Sequence, residues 1–331
     1  MYNSYFILTF FIFLNFLIFI LSDKFIKIFN IYDYPDKKRK FHRDKVSLFG
    51  GSIILLNCLS FYIIGILFNN SIKYDFIFLN TFIIGSICFY FLGLIDDKIN
   101  LGYNKKFSIE LIIIIFLIFF NQELIINKIY LSSFNFQINL GKFSYFFTAL
   151  CILIFLNAFN MFDGINLQSG IYSLIIFMYL TIISNNNLIL IILIISLIPF
   201  LVLNYNSKVF LGDNGTLLLG FIISYLIIIT AKETSYLVLS ADKIFILMIL
   251  PGLELIRLFI IRLKLKRHPF SSDRMHIHHI FLKKYGYKKT IIYIQLLALM
   301  PISIMHLFNN HIYLIIFSFT LIYIFMTLNE K

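Results

Sequence analysis

Charge is what this chain has least of. Of its 331 residues only 13% are Asp, Glu, Lys or Arg, while 60% are hydrophobic. Soluble domains are about half apolar and about a quarter charged. The excess of apolar residues is spread along the whole length, so it is more than one soluble core requires. Cysteine is scarce as well. Cys58, Cys88 and Cys151 each lie inside an apolar run, with no zinc or redox spacing, and read as small buried side chains. Signal-peptide features are missing: no basic stretch precedes the first apolar run at 4–22 and no small-residue cleavage site follows it, so it reads as a retained span. No internal repeat is visible.

What is present is a series of apolar runs. A membrane-spanning helix needs about 20 such residues. The sequence divides into about eleven runs, at 4–22, 48–68, 76–95, 107–126, 144–160, 167–184, 188–204, 215–232, 243–263, 290–306 and 312–328. The expected fold is therefore an all-α polytopic membrane protein with a single domain over 1–331. Pro251-Gly252 falls inside the ninth run and predicts a bend or break there. FNFQINL, in the segment 127–143, alternates in strand fashion and predicts a short hairpin.

The formal net charge is +12, and the basic residues fall in loops. Membrane orientation and anionic lipid account for them better than nucleic acid does. With the N-terminus outside and the C-terminus cytoplasmic, 23 of the 28 Lys and Arg lie on the cytoplasmic side. That asymmetry fixes the expected orientation. It also sends every polar motif below to one face.

Four motifs stand out. Asp96-Asp97 close the third apolar run, where paired carboxylates suit a divalent cation, a phosphate-bearing substrate or a proton transfer. The competing reading is a solvated helix end with Lys98, Lys105 and Lys106 as counter-charges. In NAFNMFDGIN, a continuing helix puts Asn157, Asn160 and Asp163 on one face at three-residue spacing, and Gly164 permits a turn. Amides there suit reading a nucleobase edge or completing a metal shell. VFLGDNG surrounds Asp213 with Gly212 and Gly215, which let backbone approach a ligand, and Phe210 is placed to stack on a planar ring. An ordinary turn would look the same in isolation. Last, Arg274, His276, His278 and His279 form a dense cationic cluster suited to phosphate binding or proton transfer. Zinc is a rival for it, without a partner cysteine or a matching spacing.

In this order, the four motifs resemble those of the polyprenyl-phosphate N-acetylhexosamine-1-phosphate transferase family. The likeness runs from IYDYPDKKRKFH to the histidine cluster. GLIDDK resembles its paired-aspartate motif, NAFNMFDGIN its Asn-rich loop and VFLGDNGT its Gly-Asp loop. DRMHIHH resembles the His-x-His-His form of the enzymes that initiate O-antigen, common-antigen and teichoic-acid synthesis. Three departures are visible: Ser47 where a proline is usual, Asn166 where an aspartate is common, and Leu167 where a glycine is usual.

The resemblance implies transfer of an N-acetylhexosamine-1-phosphate from a UDP-sugar to polyprenyl phosphate, specifically undecaprenyl phosphate, at the cytoplasmic face of the inner (plasma) membrane. UMP is released and a cell-surface polysaccharide is begun. It implies Mg²⁺, or Mn²⁺ in its place, held by Asp213 with Asn160. Asp96 and Asp97 would position or deprotonate the lipid phosphate. Asn166 and Phe210 would hold uracil, with Asn157 and Asp163 completing that pocket. His276, His278, His279 and Arg274 would bind sugar or phosphates. The partners are then the two substrates and membrane lipid, with no nucleic acid; a homodimer is compatible with the sequence. Two alternatives stand beside this reading. One is a transferase for the muramoyl-pentapeptide donor, whose branch carries three consecutive histidines. The other is a cation-coupled transporter, which would place its acids near the bilayer midplane, commonly within repeats.

Overall fold

The computed structural model describes residues 2–35, 44–68, 74–184, 188–234, 238–269, 273–308 and 311–328. Most of the first basic stretch, with Lys37, Lys38, Arg39, Lys40, His42 and Arg43, lies outside them. Thirteen α-helices carry the described chain. The first is α1 (Tyr2–Ile20), which bends by 71° into α2 (Ser22–Phe29). Strands β1 (Tyr32–Asp33) and β2 (Val46–Ser47) pair antiparallel ahead of α3 (Gly50–Leu67), α4 (Phe76–Ile99) and α5 (Tyr103–Phe120). The hairpin β3 (Lys128–Leu131) and β4 (Phe136–Asn139) follows, as the alternation in FNFQINL predicted. Then come α6 (Ser144–Phe162), α7 (Gln168–Ile183), α8 (Leu188–Tyr205), α9 (Gly212–Glu233), α10 (Ala241–Leu247), α11 (Ile249–Lys264), α12 (Ile277–Leu307) and α13 (Ile312–Leu328).

Each of the eleven apolar runs is helical, so the all-α polytopic reading holds. The number of clear spans is smaller than eleven. Among the described residues six helices are long and apolar enough to cross a membrane, or up to eight if each bent pair is one span. Helices α7 and α13 are apolar but shorter. Helix α5 carries Lys105, Lys106 and Glu110 in its N-terminal half, which dilutes its apolar length.

Helix α9 is the axis of the bundle. Its sequence is apolar on all sides after the first turn, and a helix hydrophobic all round belongs inside. It is packed by α3, α4, α6 and α7, and from Asn214 to Ala231 every residue is buried. Small residues bring the helix backbones together, as is usual where lipid supplies no hydrophobic drive between helices. A Cβ on Gly93 of α4 would lie 2.3 Å from the carbonyl oxygen of Asp213, so α4 crosses the start of α9 in near contact. The outer helices turn large apolar side chains outward: Phe6, Phe13 and Phe16 on α1, Ile112 and Phe119 on α5, Phe325 on α13.

The break in the ninth run falls at Met248, between α10 and α11, with a bend of 77°. Pro251 and Gly252 themselves lie in the first turn of α11. Proline lacks an N–H and its ring clashes with the carbonyl four residues earlier. For Pro251 that carbonyl belongs to Leu247, the last residue of α10, so the interruption sits ahead of the proline. A second interruption is at Gly286, whose φ of 72° divides α12 into two helical pieces. Its C-terminal piece contains the tenth apolar run.

Candidate active site

The polar motifs converge where α4, α5 and α6 end or begin against the N-terminus of α9. The first amides of a helix have no partner within it and carry partial positive charge. In α9 the partner comes from a neighbour. Asp97 accepts the backbone N–H of Asp213 at 2.9 Å, that of Asn214 at 3.0 Å and the Asn214 side-chain amide at 2.8 Å. Gly93 is one turn before Asp97 on the same face of α4. The close crossing it allows is what lets the carboxylate reach these donors.

Asp96 points elsewhere. Its oxygens accept the N–H of Leu101 and the Lys106 ammonium, each at 2.7 Å. The same ammonium lies 3.4 Å from Asp213. The two adjacent aspartates therefore have different partners: Asp97 fixes the helix that presents Asp213, and Asp96 fixes the lysine that faces it. Side-chain exposure is 9% for Asp96 and 33% for Asp213. Of these two carboxylates, Asp213 is the one a ligand reaches.

Asn160, in the last turn of α6, donates its amide to Asp213 and, at 2.8 Å, to the Thr216 hydroxyl. Asn157 faces a different partner, donating to Glu110 at 2.7 Å and to its own helix at Leu153. Glu110 is fully buried, and its second oxygen has no hydrogen-bond partner. Asp163 falls just past the helix, at its C-cap, and accepts the Ser169 hydroxyl. Burial pushes its carboxyl up to about 6, against the Ser169 hydrogen bond and with added repulsion from Asp213.

The loop after Asp163 reaches the loop before α9. Asn166 donates to the Ser207 hydroxyl at 2.9 Å, and Leu167 N–H to the Asn204 side chain at 2.6 Å. Leu167 has a φ of 71°. This is the position where glycine is usual in the resembling family, and the left-handed backbone gives the reason, since only glycine adopts it without steric penalty. Phe210 is stitched by its backbone, donating to Ser47 at 2.8 Å and accepting from Gly50 at 3.1 Å. Gly212, with a φ of 69°, makes the turn into α9, whereas Gly215 packs against Gly51 of α3 and serves helix contact.

The histidines enter through Gly164. A Cβ on that residue would lie 1.9 Å from Cε1 of His278, so the ring rests directly on the turn. His276 and His278 stack with centroids 5.1 Å apart, and His278 and His279 are 4.4 Å apart. His278 is buried, His276 and His279 are half-buried, and Arg274 is exposed. The structure thus joins Asp96, Asp97, Asn160 and Asp213 directly, and links the histidines to them through Asp163-Gly164. Asn157 is directed toward Glu110. Two residues of this cluster lay outside the motifs as read: Lys106, seen only as a nearby counter-charge, and Glu110. Their signal was a Lys and a Glu four residues apart at the start of an apolar run.

Among the described residues no three His, Cys, Asp or Glu side chains form a group that encloses a metal. Mg²⁺ asks for less, since it is commonly held by one or two carboxylates together with substrate phosphates and water. The donor set fits that requirement through a reachable carboxylate, Asp213, whose oxygen already attracts the Lys106 ammonium. Asn160 lies beside it with its amide nitrogen toward the carboxylate, so its oxygen would join a metal shell once the amide turns over.

A bundle of apolar helices that gathers acids, amides, a lysine and histidines at one end defines a membrane-embedded enzyme. The model of glycosyl transferase family 4 matches residues 79–231, which include Asp96, Asp97, Asn160, Asp163 and Asp213 but stop short of the histidines. The undecaprenyl-phosphate alpha-N-acetylglucosaminyl 1-phosphate transferase of Thermotoga maritima is 30% identical over 272 residues, covering 81% of this chain and 78% of that protein. The protein of the same name from Salmonella typhi is 25% identical over 294 residues, covering 84% and 76%. That of Escherichia coli K12 is 26% identical over 209 residues, covering 58% and 55%. The chain belongs to glycosyl transferase family 4, as the ordered motifs had indicated.

Proposed function

We propose that this protein transfers N-acetylglucosamine-1-phosphate from UDP-N-acetylglucosamine to undecaprenyl phosphate and releases UMP. The observation that carries the reading is the relatives' shared activity, together with a polar site built at the end of an apolar bundle, where a lipid phosphate and a soluble nucleotide meet. A phosphate oxygen of the acceptor attacks the sugar-bearing phosphorus of the donor. The bond from that phosphorus to the bridging oxygen breaks, and UMP leaves with the oxygen. Bound Mg²⁺ would offset the charge developing on the pyrophosphate oxygens, and Asp213 with Asn160 would hold it.

The other residues have roles that follow from their partners. Lys106 draws phosphate oxygens toward Asp213 while Asp96 holds it in place. Asp97 acts through α9, keeping Asp213 in register, which is a positioning part in the handling of the lipid phosphate. Asn166 and Phe210, at the mouth formed by the 163–167 and 204–211 loops, would hold the uracil, with Asp163 ordering the turn. Asn157, backed by Glu110, lines the side toward α5. His276, His278, His279 and Arg274 would bind the sugar and the donor phosphates. The site then faces the cytoplasm from the inner membrane.

The test is a radiolabel-transfer assay with the purified protein, undecaprenyl phosphate, Mg²⁺ and a panel of UDP-sugars. Turnover is expected with UDP-N-acetylglucosamine or a 6-deoxy relative. It should be lost in excess EDTA and in Asp213→Asn. Efficient use of the muramoyl-pentapeptide donor, or full activity in EDTA, would count against the proposal.

A further inference from the structure

Behind the histidines lies a second polar knot that the reaction as described does not use. Glu254 sits in α11 and is 1% exposed. Its Oε1 accepts the backbone N–H of Ile277, the first residue of α12, at 3.0 Å and lies 3.5 Å from Nδ1 of His276. Arg257 reaches both its oxygens from Nη2 at 3.0 Å, and Oε2 from Nε at 3.2 Å. Oε2 also accepts the hydroxyl of Tyr323, which comes from α13. That hydroxyl in turn accepts Arg257 Nε at 3.0 Å. Arg257 extends the knot to the loop by donating to the Met275 carbonyl at 2.6 Å.

A second grip lies further along the same helix. Arg262, 1% exposed, donates to Asp273 at 2.8 Å and to the Pro269 carbonyl at 2.6 Å, and its Nη2 is 3.4 Å from Nε2 of His276. Helix α11 therefore holds the loop before the histidines at Pro269, Asp273, Met275 and Ile277. Taking charges out of water is expensive unless several hydrogen bonds compensate. A staple between α11 and α13 alone would need only the Tyr323 contact. Apart from the Glu254–Arg257 pairing within α11 and the Arg257 bond to Tyr323, the remaining contacts are directed at the segment that presents His276, His278 and His279.

We infer that Glu254, locked by Tyr323 of α13, is a positioning residue that sets the histidine cluster for the donor. This rests on the function proposed above and adds the element that holds the donor side of the site. The last helix, far from the reacting groups in sequence, becomes part of donor recognition.

Two variants test it. Tyr323→Phe removes one hydroxyl and nothing else, and Glu254→Gln keeps size while removing charge. Donor and acceptor KM are measured separately, and histidine accessibility is read by mapping diethyl pyrocarbonate labelling at His276 and His279. The expected result is a donor KM raised roughly 3- to 30-fold with the acceptor KM unchanged, and faster labelling of both histidines. A donor KM and labelling rate both equal to wild type in folded Tyr323→Phe overturn the inference. So does a fall in activity that only follows the loss of folded protein. If Glu254→Gln fails to fold, Tyr323→Phe decides. A wild-type protein that turns over no UDP-sugar defeats the proposed function instead, and the labelling rates still judge the positioning of the histidines.

Discussion

Gly164 shows how closely the site is fitted at the residue scale. Its Cα hydrogens face the His278 ring, and any side chain there overlaps it. Gly164→Ala is expected to push His278 off the turn at a cost of about 1–3 kcal/mol. Turnover should fall by about 5- to 160-fold if that cost appears in the transition state. Single-turnover kinetics with a thermal unfolding curve in detergent separate the two effects. One residue away, Asp163 has a carboxyl raised from 3.8 to about 6 by burial. The folded state therefore holds this proton more tightly than the unfolded chain does. Its contribution to stability is complete below pH 4 and is lost as pH rises through about 6. Asp163→Asn should flatten that part of the pH dependence of Tm; an identical slope in the variant would contradict the assignment. The aspartates and histidines were legible in sequence because ionisable groups are conspicuous in apolar surroundings. Their partners were legible only in part. Lys106 stood among the nearby counter-charges, as its bond to Asp96 bears out, but nothing local says that Asp97 faces backbone amides more than a hundred residues away.

At the scale of elements, periodic apolar runs located the helices, and strand alternation located β3 and β4. The exact break in the ninth run was less legible, because proline disturbs the turn before it and the interruption moved to Met248. The hairpin's anchorage was also hidden. Asp242 at the start of α10 accepts the Ser133 N–H at 2.9 Å and its hydroxyl at 2.8 Å, fixing β3–β4 to the broken helix. This contact links segments distant in sequence, so no window reveals it. Lys106 plays the corresponding part at the site, tying α4, α5 and α9 together through Asp96 and Asp213. Lys106→Met should leave Asp96 buried and unpaired. Breaking such a pair costs about 3–5 kcal/mol when both charges are buried, and less here because Asp96 keeps the Leu101 N–H as a partner. Loss of stability should appear as a lowered unfolding temperature in detergent, and Lys106→Met with Asp96→Asn should recover part of it. No recovery would mean that the pair does not couple these helices.

For the molecule as a whole, the basic asymmetry of the sequence gives an orientation that can be tested directly. With the N-terminus outside, Asp97, Asp163, Asp213 and His278 all belong to cytoplasmic segments. Single cysteines placed at exposed positions beside them, such as Lys98, Ser207 and Arg274, should resist a membrane-impermeant thiol reagent in intact cells and react after permeabilisation. Labelling of any one from outside would break the one-sided site.

The cap on α9 bears on how the protein is made. A chain threaded into the membrane from its N-terminus places α4 more than a hundred residues before α9 emerges. Until then Asp97 has none of the amides that later surround it, and α9 on arrival has no lipid-facing side to remain on. Arrival of α9 and capture of the Asp97 carboxylate by its first amides are thus one event in biogenesis. A polypeptide truncated before residue 212 would leave Asp97 exposed at the membrane boundary, a polar defect by which quality-control proteases could recognise an unfinished chain.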